Sequence, residues 1–169
     1  MLTLAVAVGV NTASVALQAR CGLFTSRFGR RGLEAHLAVT LPGWLAFLAL
    51  LPRAGAPTEW PLPAQSKPLG RPLQVASGLL WLAAFRQLGP VRTANGYFFG
   101  RGPRARASGG VYRHLSNPMY AAYVLALVGT AFRTANAAYL PLAAEAAMLF
   151  SIEARIENRP FRKREVTPR

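Results

Sequence analysis

The stretch Gly110-Val111-Tyr112-Arg113-His114-Leu115-Ser116-Asn117-Pro118-Met119-Tyr120 joins a basic, glycine-rich loop to an apolar run that reaches Phe132. Asn followed by Pro is the order that opens a helix. Asn at the N-cap offers its side-chain oxygen to the first free amides, and Pro at the first helical position lacks only an N–H that would have no intrahelical partner. The helix so opened covers 118–132, and after Arg133-Thr134-Ala135-Asn136 a second apolar helix covers 137–152. Small residues on both (Ala121, Ala122, Ala126 and Gly129; Ala143, Ala144, Ala146 and Ala147) permit close approach, so the two are expected to pack as an antiparallel hairpin. The hairpin ends in an acidic-basic knot, Glu153-Ala154-Arg155-Ile156-Glu157-Asn158-Arg159-Pro160-Phe161, and a basic tail over 153–169.

Upstream lie three further apolar stretches, at 2–19, 33–51 and 73–88. The first lacks a basic leader and ends at Arg20, which points to a retained membrane helix rather than a cleaved signal. The second contains Pro42-Gly43, an expected kink of the kind membrane helices tolerate. The third is short for a hydrocarbon core of about 30 Å and gains reach if Arg86 snorkels. Between the second and third, 52–72 carries six prolines and is expected to be an extended connection. The fold expected is therefore all-α: one polytopic membrane domain of about five transmembrane helices.

Composition agrees. Of 169 residues, 52% are hydrophobic and 15% charged, against about 25% charged in a soluble domain. The charge is lopsided, with 20 Lys+Arg, six Glu and no Asp, for a net +14. Basic residues set between long apolar runs read as membrane topology rather than nucleic-acid binding. The 20–32 loop, the 86–116 loop and the tail hold sixteen of them, and the alternate connections hold four. The positive-inside rule thus places the tail and both arginine-rich loops in the cytoplasm. Richness in Ala, Arg, Gly and Pro suggests a high-GC bacterial source and its cell membrane.

Cys21 is alone, and His36 and His114 are far apart in sequence, so no metal site is expected. The residues with chemistry to offer gather at the cytoplasmic ends: Tyr97-Phe98-Phe99-Gly100, the Tyr112–Tyr120 run, and Glu153 with Glu157 four residues on, sharing a helix face if the helix continues. Glu145 is a further oddity, an ionisable group inside a span, which is functional by default unless it pairs, for instance with Arg133. The arginines at 101, 104 and 106 suit topology and lipid headgroups.

These residues resemble the integral-membrane methyltransferases, which include isoprenylcysteine carboxyl methyltransferases and phosphatidylethanolamine N-methyltransferases. Ser116-Asn117-Pro118-Met119-Tyr120 is similar to the Asn-Pro-Met-Tyr element of the phospholipid branch, and Phe98-Phe99-Gly100 to its Tyr-Phe-Gly segment. Arg155-Ile156-Glu157-Asn158 resembles Arg-x-Glu-Glu with Asn in place of the second Glu, and Ser116-Asn117 stands where many relatives have Arg-His. The likeness spans roughly 73–165.

The resemblance implies S-adenosylmethionine at the cytoplasmic face and a lipid-soluble acceptor from the bilayer: a phospholipid amine, a prenyl-cysteine carboxylate or a phenolic hydroxyl. It implies a cofactor set of Gly78, Gly100, Tyr112, Asn117, Pro118, Tyr120, Glu157 and Asn158, with Glu157, His114 or a phosphate as the group that takes a proton from an ammonium acceptor. A scaffold that has lost the cofactor is the alternative, for which Ser116 and Asn158 speak.

Overall fold

The computed structural model describes residues 2–51, 60–101 and 107–165. Among them the long elements are helices only: α1 (Leu2–Cys21), α3 (Gly32–Leu50), α4 (Lys67–Thr93), α5 (Pro118–Thr134) and α6 (Tyr139–Glu165), with a short α2 (Leu23–Phe28) between the first two. The all-α expectation holds.

Two boundaries move from where apolarity alone puts them. α4 begins at Lys67, inside the stretch read as extended, because Pro68 falls in its first turn, where a missing N–H breaks no helical bond. α6 runs through the acidic-basic knot to Glu165, so most of the expected tail is helix. Glu, Ala and Arg are good helix formers whether or not they are apolar.

The helices alternate in direction. At one end Gly70 on α4 lies against the backbone of Arg133 on α5. There Tyr139 of α6 donates to the carbonyl of Leu51 (3.4 Å), and an antiparallel bridge ties Pro61 to Asn136. At the other end Thr93 meets Met119, and Gln18 of α1 donates to the carbonyl of Phe98 (3.1 Å).

α5 packs most extensively on α4, not on its hairpin partner α6. Gly70 and Gly129 have no room for a side chain at this seam. Ser77 donates to the Ala122 carbonyl (2.7 Å) and Gln74 to Thr130 (3.0 Å). α6 in turn lies against α1, and α1 against α3, where Gly43 brings α3 close to Ala7.

The interior is mainly apolar, yet it also holds polar groups, and large apolar side chains cover the outside. Ser14, Gln18, His36, Thr40, Ser77, Asn136 and Glu153 are buried, while Val39, Leu41, Leu45, Leu48, Leu69, Val75, Leu79 and Met148 are exposed. Among the described residues, Leu23–Leu50 is the one helical stretch both long and apolar enough to cross a bilayer by itself. α4 and α6 exceed 20 residues but carry polar and basic turns, and α5 has 17 residues.

Candidate functional site

At the end holding Thr93 and Met119, α3 stands away from α4 and α5, and a cleft of about 420 Å³ opens between them. Its walls come from both halves of the chain.

The C-terminal wall starts at Gly109-Gly110. A Cβ at either position would press on the Gln87 amide, and Gly110 has φ +50, so glycine lets the loop lie flat on α4. That contact delivers Tyr112 to the cleft. Asn117 follows as the N-cap of α5, but its side chain makes no capping hydrogen bond, and its buried Nδ2 has no hydrogen-bond partner. An amide donor buried without a partner is costly unless something else meets it. Asn117 lines the cleft, so the spare donor belongs to the site and not to the helix start.

Tyr120 and Tyr123 project from the first turns of α5. The Tyr120 ring stacks on Phe150 of α6 (4.6 Å between centroids, 3° between planes). Trp44 of α3 stacks on Phe150 (6.2 Å) and on Tyr123 (5.9 Å). One aromatic box is thus built from three helices.

The N-terminal wall carries Asn11, His36, Thr40 and Trp44. Glu153, only 1% exposed, closes the floor from α6 and accepts a hydrogen bond from Asn11 Nδ2. Ser14 donates to the Asn11 carbonyl (2.8 Å) and contacts His36 Nδ1 at 2.9 Å. Beside it Gln18 ties the end of α1 to α2, accepting from the backbone of Phe24 (2.9 Å) and Thr25 (3.2 Å). Arg101 pairs with Glu34 at 2.7 Å and so holds the 94–101 turn against α3.

Of the residues picked out by sequence, Tyr112, Asn117 and Tyr120 meet in this cleft, and Pro118 is buried directly behind them. Gly78 is exposed on α4 with open space around it, and Gly100 is exposed at the end of a turn with φ +74. Neither lines the cleft, nor does His114, which is exposed. Glu157 and Asn158 lie on α6 within the turn or so after Glu153, their side chains outside the described residues. Glu145 is half-buried away from the cleft; its buried Oε2 has no hydrogen-bond partner, and it forms no ion pair with Arg133. Asn11, His36 and Trp44 are site residues that motif reading did not select, whereas Glu153, singled out with the acidic-basic knot, does line the cleft. For His36 a signal was present: an ionisable group inside an apolar helix is a functional candidate, the reasoning applied only to Glu145.

The profile of the phospholipid methyltransferase family (PEMT) matches residues 67–164, more than half of the chain. The chain belongs to the phospholipid methyltransferase family. The matched segment runs from the start of α4 to the end of α6 and supplies one wall of the cleft and its floor. The family is membrane-associated and acts on lipid, which suits the apolar exterior and the Leu23–Leu50 span. Neither the curated proteins nor the solved structures hold a significant match.

Proposed function

We propose that the protein transfers a methyl group from S-adenosylmethionine to the headgroup amine of a phospholipid. The carrying observation is the unpartnered Asn117 Nδ2 in a cleft that also holds an aromatic box and a buried carboxylate. The volume, about 420 Å³, lies within the usual range of small-molecule sites, about 300–1,000 Å³.

The residues present fit the cofactor. Asn117 offers its free amide donor to a carboxylate or ribose oxygen. The aromatic rings of Tyr112 and Tyr120 in the cleft lining suit adenine. Trp44 and Tyr123 turn aromatic surface toward a cation, as a sulfonium or a methylated ammonium requires. Glu153, walled into an apolar setting, stabilises positive charge brought to the same place. Glu157 and Asn158, just beyond it on α6, stay in the proposed cofactor set through the family likeness. When bound, S-adenosylmethionine supplies an activated methyl group. The chain's part is to align the acceptor, exclude water and manage the acceptor's proton.

Leu37, Leu41 and Leu48 on α3 face Leu88 on α4 across the mouth, and Leu41 and Leu48 are more than half exposed. An acyl chain lying between α3 and α4 would keep its tail in the bilayer while its headgroup reaches the box. We read the cleft as lying at the cytoplasmic face, supported by Arg92 in its lining and by the positive-inside rule.

The test is transfer of labelled methyl from S-adenosylmethionine into the lipid extract of membranes with and without the protein. Label in a monomethylated amine phospholipid is the expected result. Label in an ester or a phenolic ether would move the acceptor to oxygen. No label and no cofactor binding would restore the degenerate scaffold.

A further inference from the structure

We propose that His36 is the group that takes the proton from the acceptor's ammonium, a role that rests on the amine-methylating reading above. An ammonium has no lone pair, so a proton must leave before the nitrogen can be methylated, and a base near neutrality serves best. Among the cleft walls, His36 is the one imidazole.

We assign its state from its hydrogen-bond partners. The single hydroxyl proton of Ser14 goes to the Asn11 carbonyl at 2.8 Å, so the 2.9 Å contact between Ser14 Oγ and His36 Nδ1 has Nδ1–H as donor. Neutral His36 therefore carries its lone pair on Nε2, which makes no hydrogen bond among the described residues. Phe24 (centroids 5.8 Å apart) and Phe99 (5.0 Å) hold the ring in place. Nδ1 donates in the neutral and the charged form alike, so proton uptake at Nε2 requires no rearrangement of this chain.

In the step, one N–H bond of the ammonium breaks and an N–H bond forms at Nε2. The electron pair stays on the amine nitrogen, and the imidazolium later returns the proton to water at the cleft mouth. The charged or titratable groups sharing the cleft wall are Glu153 on α6, Arg92 on α4, and the phenols of Tyr97, Tyr112, Tyr120 and Tyr123; α1 and α2 present Ser14 and Phe24 to the ring, neither of them titratable. Glu153, joined to Asn11, adds a carboxylate to the same cleft lining. His36 lies outside the family-matched segment, so the base comes from the half of the chain that the family pattern does not describe.

The experiment uses the full chain in phosphatidylethanolamine vesicles, comparing wild type with His36→Asn, which keeps an N–H for Ser14. Turnover of the variant at pH 7 should fall by about 10²- to 10⁴-fold. The deficit should shrink as pH rises toward the amine's own pKa, and S-adenosylmethionine affinity by calorimetry should be unchanged. A deficit equal at every pH, or no deficit, overturns the role while the methyltransferase reading stands. No transfer by wild type at any pH removes that reading and this inference with it. Should His36→Asn not fold, ¹⁵N-histidine spectra of wild type decide, since the chain has two histidines and His114→Gln assigns them. The Nδ1–H tautomer is expected for His36, and the Nε2–H tautomer would overturn the proposal.

Discussion

The two walls of the cleft were built by different kinds of sequence. The wall from α4 and α5 comes from a contiguous run: Tyr112, Asn117 and Tyr120 fall within nine residues, presented by a glycine pair and a proline-opened helix. The opposite wall is scattered. His36, Thr40 and Trp44 recur every four residues along one face of α3, and Asn11 joins them only when α1 meets α3 and α6. A run is conspicuous because its residues depend on one local geometry. A scattered wall depends on packing, and its members look like impurities in hydrophobic helices.

Substitutions can set the walls against each other. The largest effect is expected at Glu153, which joins the two through Asn11. Glu153→Ala should abolish detectable methyl transfer and also lower the unfolding midpoint, because a buried donor loses its acceptor. Asn117→Ala should weaken S-adenosylmethionine by roughly 10- to 100-fold, as expected for loss of a hydrogen bond to a charged group. It should leave stability unchanged, since the amide caps nothing. A drop of about 1 kcal/mol in stability with normal affinity would restore the ordinary capping role.

On the scattered wall, Trp44→Ala should raise the KM for the lipid by about 2- to 30-fold through loss of a cation–π face, with cofactor affinity kept. The reverse pattern, cofactor affinity lost and KM kept, would exchange the roles of the walls. The smallest effect belongs to Glu34→Gln. Its ion pair with Arg101 is solvent-exposed, so activity at ordinary salt should not move measurably.

The same contrast explains what could be read from sequence. Helix number and type followed from apolar period and length, which are local properties. Boundaries failed where polarity and helix propensity part company: Lys67–Pro72 and 153–165 are polar and helical. In the candidate site, Asn117, Met119 and Tyr120 of the Asn-Pro-Met-Tyr run lie in the cleft lining. Gly78, Gly100 and His114 came from position in a pattern, and that pattern does not say which way a helix face or a turn points. His36 carried a local signal that motif reading passed over, while Trp44 joins the site only through its stacks on Tyr123 and Phe150 of other helices.

One break in α4 has a mechanical meaning. Gly89 leaves helical geometry (φ 72°, ψ 168°) and Pro90 donates no backbone hydrogen bond, so the helix is interrupted one turn before its end. Above the break, α4 is riveted to α5 along a glycine-lined seam. Below it, Arg92, Thr93 and Ala94 belong to the cleft. The last turn of α4 therefore takes its own direction into the cleft, and the seam that holds the bundle together is left unbent by it.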